Sequence, residues 1–188
     1  MFAGKPEQFK AFIQTFLDMA RHENGLPIRS HFQPMQHTHL LPWLSIAEWH
    51  DSNSLTLKLL GEKLRMATGG ASIGTNVYDV YDDRNLKTFR ELHSAAVKTP
   101  YIYKLIRNVT KSDGSHLVTT SYSIPTTTED GERFFIYTIM HIDGLDKVIE
   151  AESHWENVTL VEKIYLMDMG AGIPSSLDFE YERDTLLT

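Results

Sequence analysis

The stretch from Leu41 to Tyr81, LPWLSIAEWHDSNSLTLKLLGEKLRMATGGASIGTNVYDVY, limits the fold more than any other part of the chain. Two strand-like runs, 41–49 and 55–60, are separated by His50, Asp51, Ser52, Asn53 and Ser54, whose small polar side chains favour a hairpin loop. In the second run Leu55, Leu57 and Leu59 share one face, with Thr56 and Lys58 on the other, the period of a strand buried on one side. Gly61 ends that run, and a short helical piece begins at Glu62. Gly69, Gly70 and Gly74 then mark tight turns before Thr75-Asn76, an N-cap signal, and the aromatic segment 77–81. The order is hairpin, short helices and glycine turns. The rest of the chain supplies more helix and the further strands that complete one sheet.

The spacing predicts a first helix over 6–21. Phe9, Phe12, Ile13, Phe16, Leu17 and Ala20 recur at helical intervals, while Lys10, Gln14 and Asp18 fall elsewhere. Pro6 suits its first turn and Gly25 lies just past its end. The phenylalanine stripe needs an apolar partner. The chain's own core is the default; a two-fold dimer interface through Phe9, Phe12 and Phe16 is the sharper alternative, because such a stripe is self-complementary. A second helix spans 82–99, with Leu86, Phe89, Leu92, His93, Ala96 and Val97 inward and Lys87, Arg90 and Glu91 outward, and Pro100 stops it.

Three strands follow. The first, 101–111, is closed by Ser112-Asp113-Gly114. The second, 117–124, alternates: Val118, Thr120, Tyr122 and Ile124 share one face, Thr119, Ser121 and Ser123 the other, and Pro125 closes it. The third, 134–142, is apolar on both faces, as in a central strand. Past Gly144 the pattern predicts a helix over 146–156, one strand or a pair of short strands over 158–169, and a loosely held acidic tail from 175. Together these elements predict an α+β fold: a five-stranded antiparallel sheet with helices on one face. An N-terminal helical extension occupies 1–27, the central domain 28–145 and a C-terminal extension 146–188.

Composition narrows the function. A net charge of −7 argues against a nucleic-acid backbone binder, which needs a lysine and arginine surface. No apolar run approaches a membrane span, and no basic region followed by an apolar core marks a secretory signal. The absence of cysteine removes disulfides, thiolate nucleophiles and cysteinyl chromophore attachment, and fits a cytoplasmic protein. His37 and His39 would project from one face of a strand, with His31 nearby, but no Asp, Glu or Cys completes a ligand set, so no metal is expected.

Four short motifs stand in a telling order: Leu41-Pro42-Trp43-Leu44, Leu57-x-x-Leu60-Gly61, Gly70-x-x-x-Gly74 before Asn76-Val77-Tyr78, and Ser123-Ile124-Pro125 followed by Asp130-Gly131. With them, residues 28–142 resemble a PAS domain, and more narrowly a bacterial, alphaproteobacterial subgroup of short, often single-domain PAS-like proteins. The resemblance implies a sheet and helices that enclose a pocket, whose contents alter the sheet and pass a change to flanking helices or to another protein. On that footing the chain is expected to be a stand-alone sensor or adaptor, not an enzyme. It would bind a small organic or fatty ligand through Phe89, His93, Tyr103 and Tyr122, or hold a fully packed core and work through its surface. Its output would pass to an unidentified signalling protein, with a homodimer allowed.

The missing cysteine excludes flavin–cysteine adducts and thioester-linked chromophores. Haem-binding PAS domains place a histidine on the long helix before the third strand, where His93 falls. A lone histidine on an apolar helix face more often serves as a hydrogen-bonded core residue, so haem is the weaker reading. The competing function is a small α+β isomerase or dehydratase. Its His–Asp acid–base pair would be drawn from His93, His116 or His141 with Asp79, Asp82 or Asp83. The plainer role of those aspartates is charge at a helix N-terminus.

Overall fold

Phe9, Phe12 and Phe16 stand about one turn apart and give α1 (Pro6–Asp18) a continuous apolar face. This helix opens a computed structural model that describes residues 6–68, 71–143 and 155–183. It ends at Asp18, not Arg21, because the chain doubles back: Leu26 N–H donates to Asn24 Oδ1 at 3.0 Å, and Arg21 bridges to Pro27.

The central hairpin forms with one change at its start. Residues Leu41–Trp43 make a 3-10 turn, since Pro42 has no N–H to offer a ladder, and β1 begins only at Leu44 (Leu44–Asp51). Then come β2 (Ser54–Leu60), α2 (Glu62–Ala67) and a 3-10 turn, Val77–Val80. The Asn76 side chain caps that turn by accepting from Tyr78 N–H at 3.3 Å. In the same way Asp82 caps α3 (Asp83–Lys98), accepting from Asn85 N–H at 3.0 Å. The remaining strands are β3 (Tyr101–Lys111), β4 (His116–Thr127), β5 (Phe134–Ile142), β6 (Trp155–Asp168) and β7 (Glu182–Arg183).

Among the described residues, all of them lie in one sheet of seven strands, not five, in the order β2-β1-β5-β4-β3-β6-β7. Every pairing is antiparallel except β6 with β7. The correction has a physical reason. β3 carries Tyr101, Tyr103 and Leu105 on one face and Ile102 on the other, all buried, and such a strand belongs between two neighbours. β6 supplies the second neighbour along the full length of β3, from Asp168 opposite Tyr101 to Trp155 opposite Lys111. The tail is also held more firmly than its acidity suggests. Ile173, Leu177, Phe179 and Tyr181 pack beside α3, Lys87 Nζ lies 2.6 Å from Asp178 Oδ2, and β7 joins the sheet. Of the helix expected over 146–156, Trp155 and Glu156 belong to β6 and the rest lies outside the described residues.

β4 does not stop at Pro125. Its ladder to β3 ends at Ser123, so the proline, paired with Ile136 of β5, stands where a missing donor is tolerated.

Alternate side chains feed two cores. On one face α1 lies across β4 and β5, with Phe9 4.9 Å from Tyr122 and Phe16 5.2 Å from Tyr137 between ring centroids. On the other, Tyr78, Phe89 and Leu92 meet Tyr101, Tyr103 and Leu105. The helices therefore divide between the faces, and α3 and α1 stand on opposite sides of the sheet.

One buried carboxylate ties the β2-β1-β5 edge. Glu48 of β1 accepts from Arg133 Nε at 2.7 Å, Lys58 Nζ of β2 lies 2.8 Å away, and His50 Nε2 lies at 3.9 Å. Hydrogen bonding from Arg133 outweighs burial and, with Lys58, holds the Glu48 pKa at about 2 against the ordinary 4.5. The folded value lies below the unfolded one, so this stabilisation is present above pH 4.5 and is lost as pH falls toward 2. Glu48→Gln is expected to cost about 1–2 kcal/mol at pH 7, less than full linkage implies because both basic partners are half exposed. The difference should fall by about half or more at pH 3. Urea melts at the two pH values check this, and an equal loss at both would reject the ion-pair account.

Candidate functional site

Register decides what lies between the sheet and α3. Ser45, Thr138, Ser123 and Tyr103 are direct neighbours across β1, β5, β4 and β3 and form one row. Met140, Ser121 and Leu105 form the next, and Thr119 and Arg107 the one beyond. Leu55 and Leu57 from β2, Val77, and Phe89 and His93 from α3 close over these rows. They enclose a cavity of about 190 Å³ with apolar walls and a hydroxyl-bearing floor. Exposed Thr75 and Val80, with half-buried Thr68 and Ala71, line its outer end, so it opens beside the segment between α2 and α3. A dry apolar cavity of ~150 Å³ is enough to take up benzene.

His93 sits among aromatic rings, with centroids of Tyr78, Phe89 and Tyr103 at 5.7, 5.9 and 5.6 Å. Its Nδ1 lies 3.2 Å from the Tyr78 hydroxyl. Burial, aided by the charge of Arg107, lowers its pKa to about 3, so the ring is neutral at physiological pH. Burial likewise raises the pKa of Tyr78 and of Tyr103. The buried hydroxyl of Tyr103 lies beside Ser123 without a well-formed hydrogen bond, and Ser123 Oγ instead shares one with Thr138 Oγ1 at 2.7 Å.

Arg107 is 5% exposed. One guanidinium nitrogen donates to Ser121 Oγ at 3.1 Å and reaches Met140 Sδ at 3.7 Å; another lies 3.5 Å from the Tyr81 hydroxyl. Its Nε is buried with no acceptor. None of the described residues that line the cavity is acidic.

Of the four residues expected to contact a ligand, Phe89, His93 and Tyr103 line this cavity. Tyr122 is separated from them: it leaves β4 on the opposite face, against Phe9, with Lys104 Nζ 5.5 Å from its ring centre. The parity of β4 is as expected, but its hydroxyl face, not its apolar face, looks into the cavity. Phe9, Phe12 and Phe16 are buried within this chain's own core, at 5, 0 and 0% exposure. Arg107, Ser121 and Ser123 also line the cavity and are not among the residues expected to contact a ligand. The signal for Arg107 was the alternation of β3, which puts residue 107 on the face of Tyr103 and Leu105, and a charge on such a face is the informative exception.

The residues do not fit a haem. A porphyrin needs far more room than about 190 Å³, and three aromatic rings already crowd His93. Neither do they assemble a His–Asp pair in the cavity. His93 meets Tyr78, Asp82 caps α3, and Asp79 lies 3.5 Å from Asn76. His116 lies 3.4 Å from Thr110, and His141 pairs with Asp143 at 2.9 Å on the exposed end of β5. His37 ends a 3-10 turn rather than lying on a strand, stacks on Phe32 at 5.5 Å, and has a pKa lowered by burial and then by His39. Among the described residues no group of three metal-ligating side chains forms, and no helix is long and apolar enough to cross a membrane.

No known family model matches the chain. No curated protein matches it either. Among solved structures it is similar to the PAS-B domain of Drosophila melanogaster Cycle, both wild type with bound ethylene glycol and a tryptophan-to-alanine variant with bound glycerol. Each alignment has 13% identity and a TM-score of 0.41 over 52% of this chain and 98% of that domain. At that level of similarity, the functional reading rests on this chain's own cavity.

Proposed function

We propose that this chain is a PAS-like sensory module of the bacterial type its motifs resemble. It takes up a small, mostly apolar molecule between α3 and the sheet and passes the resulting change to a partner protein in the cytoplasm. The observation that supports this is the cavity of about 190 Å³, whose interior holds polar groups with hydrogen-bonding capacity to spare. A packed structural core leaves neither such space nor such groups. A ligand there touches α3 through Phe89 and His93 and the central strands through Tyr103, Leu105 and Ile136. It therefore distinguishes between packings of helix on sheet that differ slightly in shape, which is all a sensor requires.

The test is the mass of the protein purified from its source, native against denatured. The expected result is an excess of one small organic molecule per chain in the native state. Ala47→Leu, which adds three carbons to the cavity wall, should stay folded and lose the excess. An excess that survives in that variant places the ligand elsewhere. A native mass with no excess, with no small probe raising the melting temperature, would leave the cavity as unused space.

A further inference from the structure

We propose that the molecule this cavity recognises is a small carboxylic acid with an apolar body, its carboxylate held by Arg107 and Ser121. The inference rests on the ligand-binding reading above and names the ligand's chemical class.

A guanidinium withdrawn from water is costly unless a negative charge or a full set of acceptors compensates it. Arg107 has neither. It forms no ion pair with any described carboxylate, and its contacts are one serine oxygen, one thioether sulfur and one phenol at the limit of hydrogen bonding. Its Nε is buried and unpaired. Native structures rarely leave such a group unexplained. Its place on this face is fixed by the regular β3–β4 register, in which Arg107 stands opposite Thr119, two residues along β3 from Leu105.

The surroundings set the rest of the ligand. Arg107 gives the cavity a positive pole with no acidic lining residue to cancel it, and neutral His93 does not compete for an anion. A planar guanidinium matches a carboxylate in two-point geometry, and Ser121 Oγ can turn its hydroxyl hydrogen toward the same anion. Leu55, Leu57, Val77, Phe89, Leu105 and Ile136 offer apolar contact to the rest of the molecule. That volume suits a body the size of a benzene ring or a short alkyl chain. A second anionic group would meet no further positive charge there.

The experiment compares acids with amides of the same shape: hexanoate against hexanamide, and phenylacetate against phenylacetamide, by titration calorimetry and melting shift on the whole chain. The acids are expected to bind on the order of 10- to 100-fold tighter than the amides. Arg107→Met, close in volume and without charge, should fold at least as well as the parent and lose that preference while keeping any binding of the amides. Acids and amides of equal affinity, or a preference that survives in Arg107→Met, would overturn the carboxylate assignment and leave the binding reading intact. Failure of all four probes on a protein that carries no small molecule from its source would overturn both.

Discussion

Gly61→Ala is expected to destabilise the chain by about 3 kcal/mol, lowering its melting temperature by roughly 6–12 °C. The cause is close approach, not backbone torsion, since Gly61 has φ −61° and any residue adopts that value. A Cβ at this position would stand 2.3 Å from the carbonyl oxygen of Leu41 and 2.5 Å from the carbonyl carbon and oxygen of Pro42. Those are backbone atoms and cannot swing aside as a side chain would. Nor can Gly61 retreat freely. Its N–H donates to Leu44 O at 2.8 Å, joining β2 to β1, and its own carbonyl accepts from Arg65 N–H at 2.9 Å, forming the first turn of α2. Gly74 supplies the contrast. It has φ +93°, but a Cβ there meets nothing within 4 Å, so Gly74→Ala should cost only about 1–2 kcal/mol of left-handed strain. Thermal and urea melts of the two variants test the ranking. A Gly61→Ala protein that melts with the parent, or a Gly74→Ala protein that is the weaker of the two, would show that the 3-10 turn at Leu41–Trp43 yields.

The same contact joins two of the motifs at the base of the β1–β2 hairpin. Leu41-Pro42-Trp43-Leu44 and Leu57-x-x-Leu60-Gly61 meet at the junction where Gly61 touches the backbone of residues 41 and 42. Leu60 and Leu64 on either side of that junction also line the cavity. Displacing it would shift Leu60 and Leu64 at the cavity wall, so if the proposed binding holds, Gly61→Ala should weaken it as well as stability.

What could be read in the sequence follows from how local each signal is. β3 and β5 span the runs predicted for them, because a long β-rich run bounded by turns or proline leaves one local solution. The spacing of α3 put His93 on the buried side for the same reason. Pairing between distant segments carries no such mark. Nothing within 155–168 announces that it will flank β3, and nothing in the acidic tail shows that Glu182–Arg183 will add a strand. For Tyr122 the alternation fixed which residues share its face, but not which of the two cores that face would meet. That choice depends on where α1 lies, and α1 makes its contacts a hundred residues away in the chain. Arg107 was the opposite case. It was legible by parity alone, as a charge between buried neighbours.

Loss of α1's aromatic face should be the more damaging change still. Phe16 is fully buried, with ring centroids of Phe12, Phe32 and Tyr137 at 5.0, 5.1 and 5.2 Å. Truncating a buried phenylalanine costs about 3–5 kcal/mol, and serine adds a hydroxyl with no evident partner. Phe12 and Phe16 touch, so their losses will not simply add. Even so, the double variant Phe12→Ser/Phe16→Ser should lose at least about 5 kcal/mol, the whole stability of many domains. The expected outcome is a chain that is largely unfolded at 37 °C, with the deficit independent of protein concentration. Such a result follows if α1 covers Tyr122, Ile124, Tyr137 and Ile139 of its own sheet. A dimer contact predicts otherwise: a folded monomer with an unchanged urea midpoint at low concentration. Sedimentation velocity with urea melts at two concentrations separates these results, and a folded monomer would mean that the sheet face opposite the cavity is closed by a second copy rather than by this helix.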